Sequence, residues 1–197
     1  TVTTKEDVMD THDTAVLDPR RAVAEATRYS GSVLYTATVL DRAAALLADV
    51  WAAGERHGVR PDGWDVAFRC LEAITPTWRT GIPQTVRDAQ SLLEVLVEEF
   101  AALGVTATLD AGQGLVLIPR GPSTPTWGYD RDYEQPPQLA VTVAIGDLDG
   151  GWDLALNLKR SVMVGIAAPC DRAGAAAVAQ LVIECNAGRR GNPFRRA

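Results

Sequence analysis

Few side chains in this chain are of the kinds that do chemistry, and their spacing settles most of what they can do. The histidines are His12 and His57. A zinc site with histidine ligands needs a pair at fixed spacing, and neither H-x-x-x-H nor H-E-x-x-H occurs. His57 stands in Arg56-His57-Gly58, where cations near the negative end of a helix dipole have a structural purpose, so a Ser-His-Asp or Cys-His arrangement built on it is not expected. Cys70, Cys170 and Cys185 are odd in number, form no C-x-x-C pair and sit in apolar or helical contexts; they read as buried free thiols. No G-x-x-x-x-G-K-[ST] is present, and Gly112-Gln113-Gly114 leads into a strand pattern where a dinucleotide fingerprint needs a helix. Asp147, Asp149 and Asp153 have calcium-loop spacing, but Leu158 stands where an EF-hand carries its glutamate, and a hairpin turn explains the acids and glycines better. No catalytic residue, metal or cofactor is assigned, and the expectation leans away from an enzyme.

Recognition chemistry is better represented. The loop Gly121–Gln138 carries Trp127, Tyr129, Asp130, Arg131, Asp132, Tyr133 and Glu134 between prolines. Long irregular loops inside compact domains are uncommon and often functional. Aromatics interleaved with charges bury much area for little lost entropy, the composition of binding surfaces. A second feature is the tail, where Arg189, Arg190, Arg195 and Arg196 surround Phe194; such a cluster suits phosphates with a stacked base, or an acidic partner. A third is Glu94, Glu98 and Glu99, an acidic helix face that could dock an arginine-bearing partner or the chain's own tail. Protein–protein recognition through the loop is therefore the expected function. The alternatives are a nucleic-acid accessory role through the tail, and an enzyme or small-ligand pocket under the loop with Asp130, Asp132 or Glu134 as base and Arg131 as anion clamp.

Composition bounds these choices. The chain has 197 residues, 47% hydrophobic and 22% charged, which is globular and not disordered. Its net charge of −6 argues against a dedicated nucleic-acid binder. The first residues carry Glu6, Asp7, Asp10 and Asp13 with no apolar core, so no secretory signal is expected. The longest charge-free stretches, Tyr29–Leu40 and Gln135–Gly146, fall short of the roughly 20 apolar residues of a spanning helix. No membrane is expected, and the cytoplasm is the expected compartment.

The elements that must position these residues follow from periodicity. Residues 1–17 read as a polar, acidic lead-in, 18–188 as a single domain with a helical part 18–103 and a sheet and last helix 105–188, and 189–197 as the arginine tail. Asp18-Pro19 is a helix-start signal. An apolar stripe from Val23 to Trp51 predicts helix as far as Arg56, with a kink or break near Gly31, although Val33, Tyr35, Ala37 and Val39 also alternate. A second helix opens at Trp64 and ends at Pro76. The third runs from Pro83 to Leu103, started by Pro83 at N1 or by Thr85 as N-cap with Asp88 behind it. Its stripe of Val86, Ala89, Leu93, Leu96, Val97, Phe100 and Leu103, broadened by Leu92 and Val95, predicts contact with both the upstream helices and the sheet, one fused core. A hairpin follows, Val105–Leu109 with Leu115–Ile118, then a meander of Leu139–Ile145, Trp152–Leu158 and Val162–Ala167. Asp171 caps a buried last helix through Asn186. The predicted class is α+β: N-terminal helices packed with an antiparallel sheet of about five strands, covered by helices on one face.

Overall fold

The computed structural model describes residues 18–29, 33–58, 64–127, 137–146, 150–157 and 159–194. Asp18 accepts from the Arg20 N–H and Pro19 opens helix α1 (Pro19–Ala26), as the sequence predicts. The chain then departs from the expected continuous helix. A single 3-10 turn, Thr27–Tyr29, is followed by a short strand β1 (Val33–Tyr35), and only then by helix α2 (Ala37–Arg56). The alternation of Val33 and Tyr35 wins over the helical stripe because β6 (Lys159–Ala167) offers a partner, and β1 pairs with it in parallel. Thr36, the N-cap of α2, uses its hydroxyl to donate to the Ala167 carbonyl at 3.0 Å, which ties this junction to the sheet.

Helix α3 (Trp64–Trp78) runs through Pro76, beyond the predicted stop. Helix α4 (Val86–Ala102) starts at Thr85, whose side-chain oxygen accepts from the Asp88 N–H at 3.1 Å. The hydroxyl also donates to the Asp88 carboxylate at 2.7 Å, so the cap is Thr85 and not Pro83. The strands that follow are β2 (Thr108–Asp110), β3 (Leu115–Ile118), β4 (Leu139–Ala144) and β5 (Gly151–Leu156). With β6 and the last helix α5 (Arg172–Asn186) they complete an α+β fold of five α-helices and six strands among the described residues. The sheet order is β1-β6-β5-β4-β3-β2, and it is mixed: five strands form an antiparallel ladder and β1 adds a parallel edge.

Register sorts the side chains onto two faces. Val116, Val141, Leu154 and Val164 lie in one cross-strand row and Leu139 faces Leu156, all in one buried cluster with Leu93, Leu96 and Phe100 of α4 and Val178, Leu181 and Val182 of α5. Each such fully buried side chain contributes about 1.5–3 kcal/mol. A second cluster gathers Val23, Val39, Leu47 and Leu71 of α1–α3 around Tyr35 and Ala167, which project from the opposite face. Helices thus pack on both faces, although on the second face the contact is confined to the β1–β6 edge. The predicted fused core under α4 is instead two clusters meeting at β1, where Leu34 packs against the first and Val33 against the second.

Close packing fixes the two connections that join these layers. Gly81 has φ +68°, and a Cβ there would stand 2.7 Å from the Cys170 carbonyl oxygen, while the Cys170 N–H donates to the Thr80 carbonyl. Asp171 caps α5 by accepting from Gly174 N–H at 2.8 Å. Gly174 itself lies against the Pro169 carbonyl, with no room for a side chain.

Candidate binding site

The loop and the tail, separate features in the sequence, meet in the fold. Trp127 is only 2% exposed and belongs to the main core. Its ring meets Phe194 edge-on at 89°, with centroids 6.2 Å apart. The Arg120 guanidinium lies 5.5 Å from the Trp127 ring centre, a cation–π contact. Arg120 also closes the base of the loop: Nη1 donates to the Pro137 carbonyl at 3.0 Å and Nη2 to the Pro125 carbonyl at 3.3 Å. From the tail, Asn192 donates to the Trp127 carbonyl at 3.4 Å and accepts from the Phe194 N–H at 2.9 Å. Thr124 and the Pro119 carbonyl are both bound by Asn186 at the end of α5. The Trp127 indole N–H, though buried, has no hydrogen-bond partner among the described residues.

Trp127, expected as a contact residue, is therefore an anchor inside the protein. Tyr129, Asp130, Arg131, Asp132, Tyr133 and Glu134 lie outside the described residues, as do Arg195 and Arg196. Arg189 is exposed. Arg190 is half-buried and engaged: Nε donates to Glu184 Oε2 at 2.7 Å and Nη1 to the Tyr35 carbonyl at 3.2 Å. Burial pushes the Glu184 carboxyl up, but hydrogen bonds from Arg190 and Gln180 and the nearby Arg189 charge outweigh it and hold the group below its usual value.

The acidic face of α4 is partly satisfied within the chain. Arg172, at the start of α5, donates to Glu98 at 2.6 Å and to Glu99 at 2.7 Å. Those two hydrogen bonds raise the guanidinium pKa. Glu94 remains exposed and accepts from Gln90. Among the described residues the arginine on this face is thus Arg172.

The cysteines are free and buried. Burial pushes Cys70 up, and takes both Cys170 (helped by the Asp171 charge) and Cys185 up to about 11, which keeps them as thiols. Asp153 on β5 has its pKa raised to about 6 by burial. It alternates with core-facing Trp152 and Leu154, so it projects from the opposite face, with Thr142 and Gly165 as cross-strand neighbours. Among the described residues no three His, Cys, Asp or Glu side chains gather as metal ligands, and none of the helices is long and apolar enough to cross a membrane.

Arg120, Asn186 and Asn192, which hold this site together, have no periodic signal in the sequence. Phe194 had one: a lone aromatic in a polar tail is a candidate for docking on the fold. No protein-family model, curated protein or solved structure matches the chain.

Proposed function

We propose that the chain is a non-catalytic accessory protein of the cytoplasm that binds another protein, with the loop 121–138 as its recognition segment. The observation that carries this reading is the packing of Trp127 against Phe194, which brings the foot of the loop and the end of the tail together. Trp127 is followed in sequence by residues 128–136, with two tyrosines and four charged side chains, and Phe194 by Arg195-Arg196, so both sequences begin from adjacent points. Aromatic and arginine side chains concentrated at one place are what hot spots are made of. Arg120, bonded to both Pro125 and Pro137, holds the two ends of the loop together and lowers the ordering cost of binding. The cytoplasmic assignment rests on three free thiols and an unremarkable charged composition. The nucleic-acid alternative has less behind it, since the net charge is −6 and Arg190 is held in place by Glu184 and the Tyr35 carbonyl instead of standing on a free basic tail.

The test is a partner recovered on the immobilised full chain, identified, purified and titrated against variants. Tyr129→Ala combined with Tyr133→Ala should weaken binding by about thirtyfold, the loss of a hot-spot pair, with the circular dichroism spectrum unchanged. An unaltered affinity in this variant sinks the loop reading.

A further inference from the structure

A cleft beside β1 has no part in the reading above and does not depend on it. Its volume is about 560 Å³, within the range of small-ligand sites. It opens between the turn after α1, strand β1, the first turn of α2 and the tail segment 190–193. Val33, Leu34, Leu40 and Pro193 supply an apolar lining, Arg28 and Arg190 are its charged members, and among the described residues no carboxylate lines it.

Arg190 is built into this wall. Bonds from Nε to Glu184 and from Nη1 to the Tyr35 carbonyl spend two of its five N–H donors and fix the guanidinium plane. No hydrogen bond among the described residues uses its Nη2 donors. A fork held in place before the ligand arrives loses little entropy on binding, and its geometry matches a carboxylate. Arg28, at the rim, has an exposed side chain and, among the described residues, one long contact with Glu25 at 3.9 Å. We propose that this cleft binds a carboxylate carried on a short apolar body, the carboxylate on Arg190 with Arg28 as second cation, and the body against Val33, Leu34, Leu40 and Pro193. The ligand is held and not transformed, since Cys185, the nucleophile of the lining, is fully buried.

That chemistry has two sources, a free short-chain acid and a peptide ending in apolar residues. Methyl NMR of the full chain, followed at Val33, Leu34 and Leu40, separates them. The probes are sodium octanoate against octan-1-ol, and a pentapeptide ending Val-Leu as free acid against its C-terminal amide. Saturable shifts are expected with at least one free acid, about tenfold tighter than with its uncharged counterpart. Octanoate alone assigns a small acid, and the free-acid peptide alone assigns a peptide terminus. Arg28→Gln should weaken the active probe several-fold and Arg190→Gln should abolish its binding. Because Arg190 also braces the tail, Arg28→Gln carries the test if the Arg190 variant does not fold. The proposal is overturned if neither acid gives saturable shifts at millimolar concentration, if the uncharged counterparts bind equally, or if Arg28→Gln leaves the affinity unchanged.

Discussion

Trp127, a contact residue by its sequence context, is packed in the core of its own chain. Its area is buried against Phe194 and Arg120 of its own chain, so Trp127→Ala should cost about 3–5 kcal/mol of stability by chemical denaturation. Trp127→Phe should cost less, because it keeps much of the ring and removes a buried N–H, unpaired among the described residues, whose desolvation costs about 1–3 kcal/mol. Near-equal losses for the two would show that ring packing contributes little. Asp153 gives a pH signature. Its carboxyl titrates near 6 in the fold, above the unfolded value of about 3.9, so ionisation is disfavoured by folding. The folded state binds the extra proton between those values, and stability from this group falls as pH rises through that window. Asp153→Asn should therefore flatten the profile and stabilise the protein at neutral pH by about 1 kcal/mol, allowing for solvent that still reaches a half-buried side chain. Urea unfolding at acid and neutral pH measures both, and a variant no more stable than the parent at neutral pH contradicts the assignment.

Caps and local pattern define the elements where tertiary competition is absent. Thr85 satisfies an orphan N–H of α4 and reads from the sequence as a box with Asp88; Thr85→Ala should cost about 1 kcal/mol and lower the thermal midpoint without altering the fold. A midpoint equal to the parent's would mean that the preceding segment, not the cap, fixes the helix start. The strand Leu115–Ile118 and the helix to Asn186 lie where alternation and a broad apolar stripe predict them. At β1 the local signals conflict: Val33, Tyr35 and Val39 alternate while a helical stripe passes through the same residues. Three residues cannot bias the backbone strongly by propensity, so the choice falls to the partner, and β6 lies more than a hundred residues away in sequence. Pro76 is the converse case, a helix breaker tolerated near the end of α3.

Among the described residues two buried clusters meet at one short parallel strand. The α1–α3 cluster is the smaller, and its contact with the sheet runs through Tyr35, Val33 and Ala167. Native-state hydrogen exchange should accordingly find α1–α3 opening together at a lower free energy than α4, α5 and β3–β6, with Tyr35→Ala widening the gap. Identical opening energies throughout would show that β1 couples the clusters fully. The α+β class, the antiparallel meander, the caps at Asp18 and Asp171 and the buried thiols are legible in the sequence, because each rests on periodicity or chemistry within a few residues. Tertiary contacts alone decide that β1 is a parallel edge, that α1–α3 pack at that edge on the second face, that Arg172 takes Glu98, and that the foot of the loop and the tail meet at Trp127 and Phe194. Those outcomes depend on which distant groups come within bonding distance, and no local pattern in the chain encodes that.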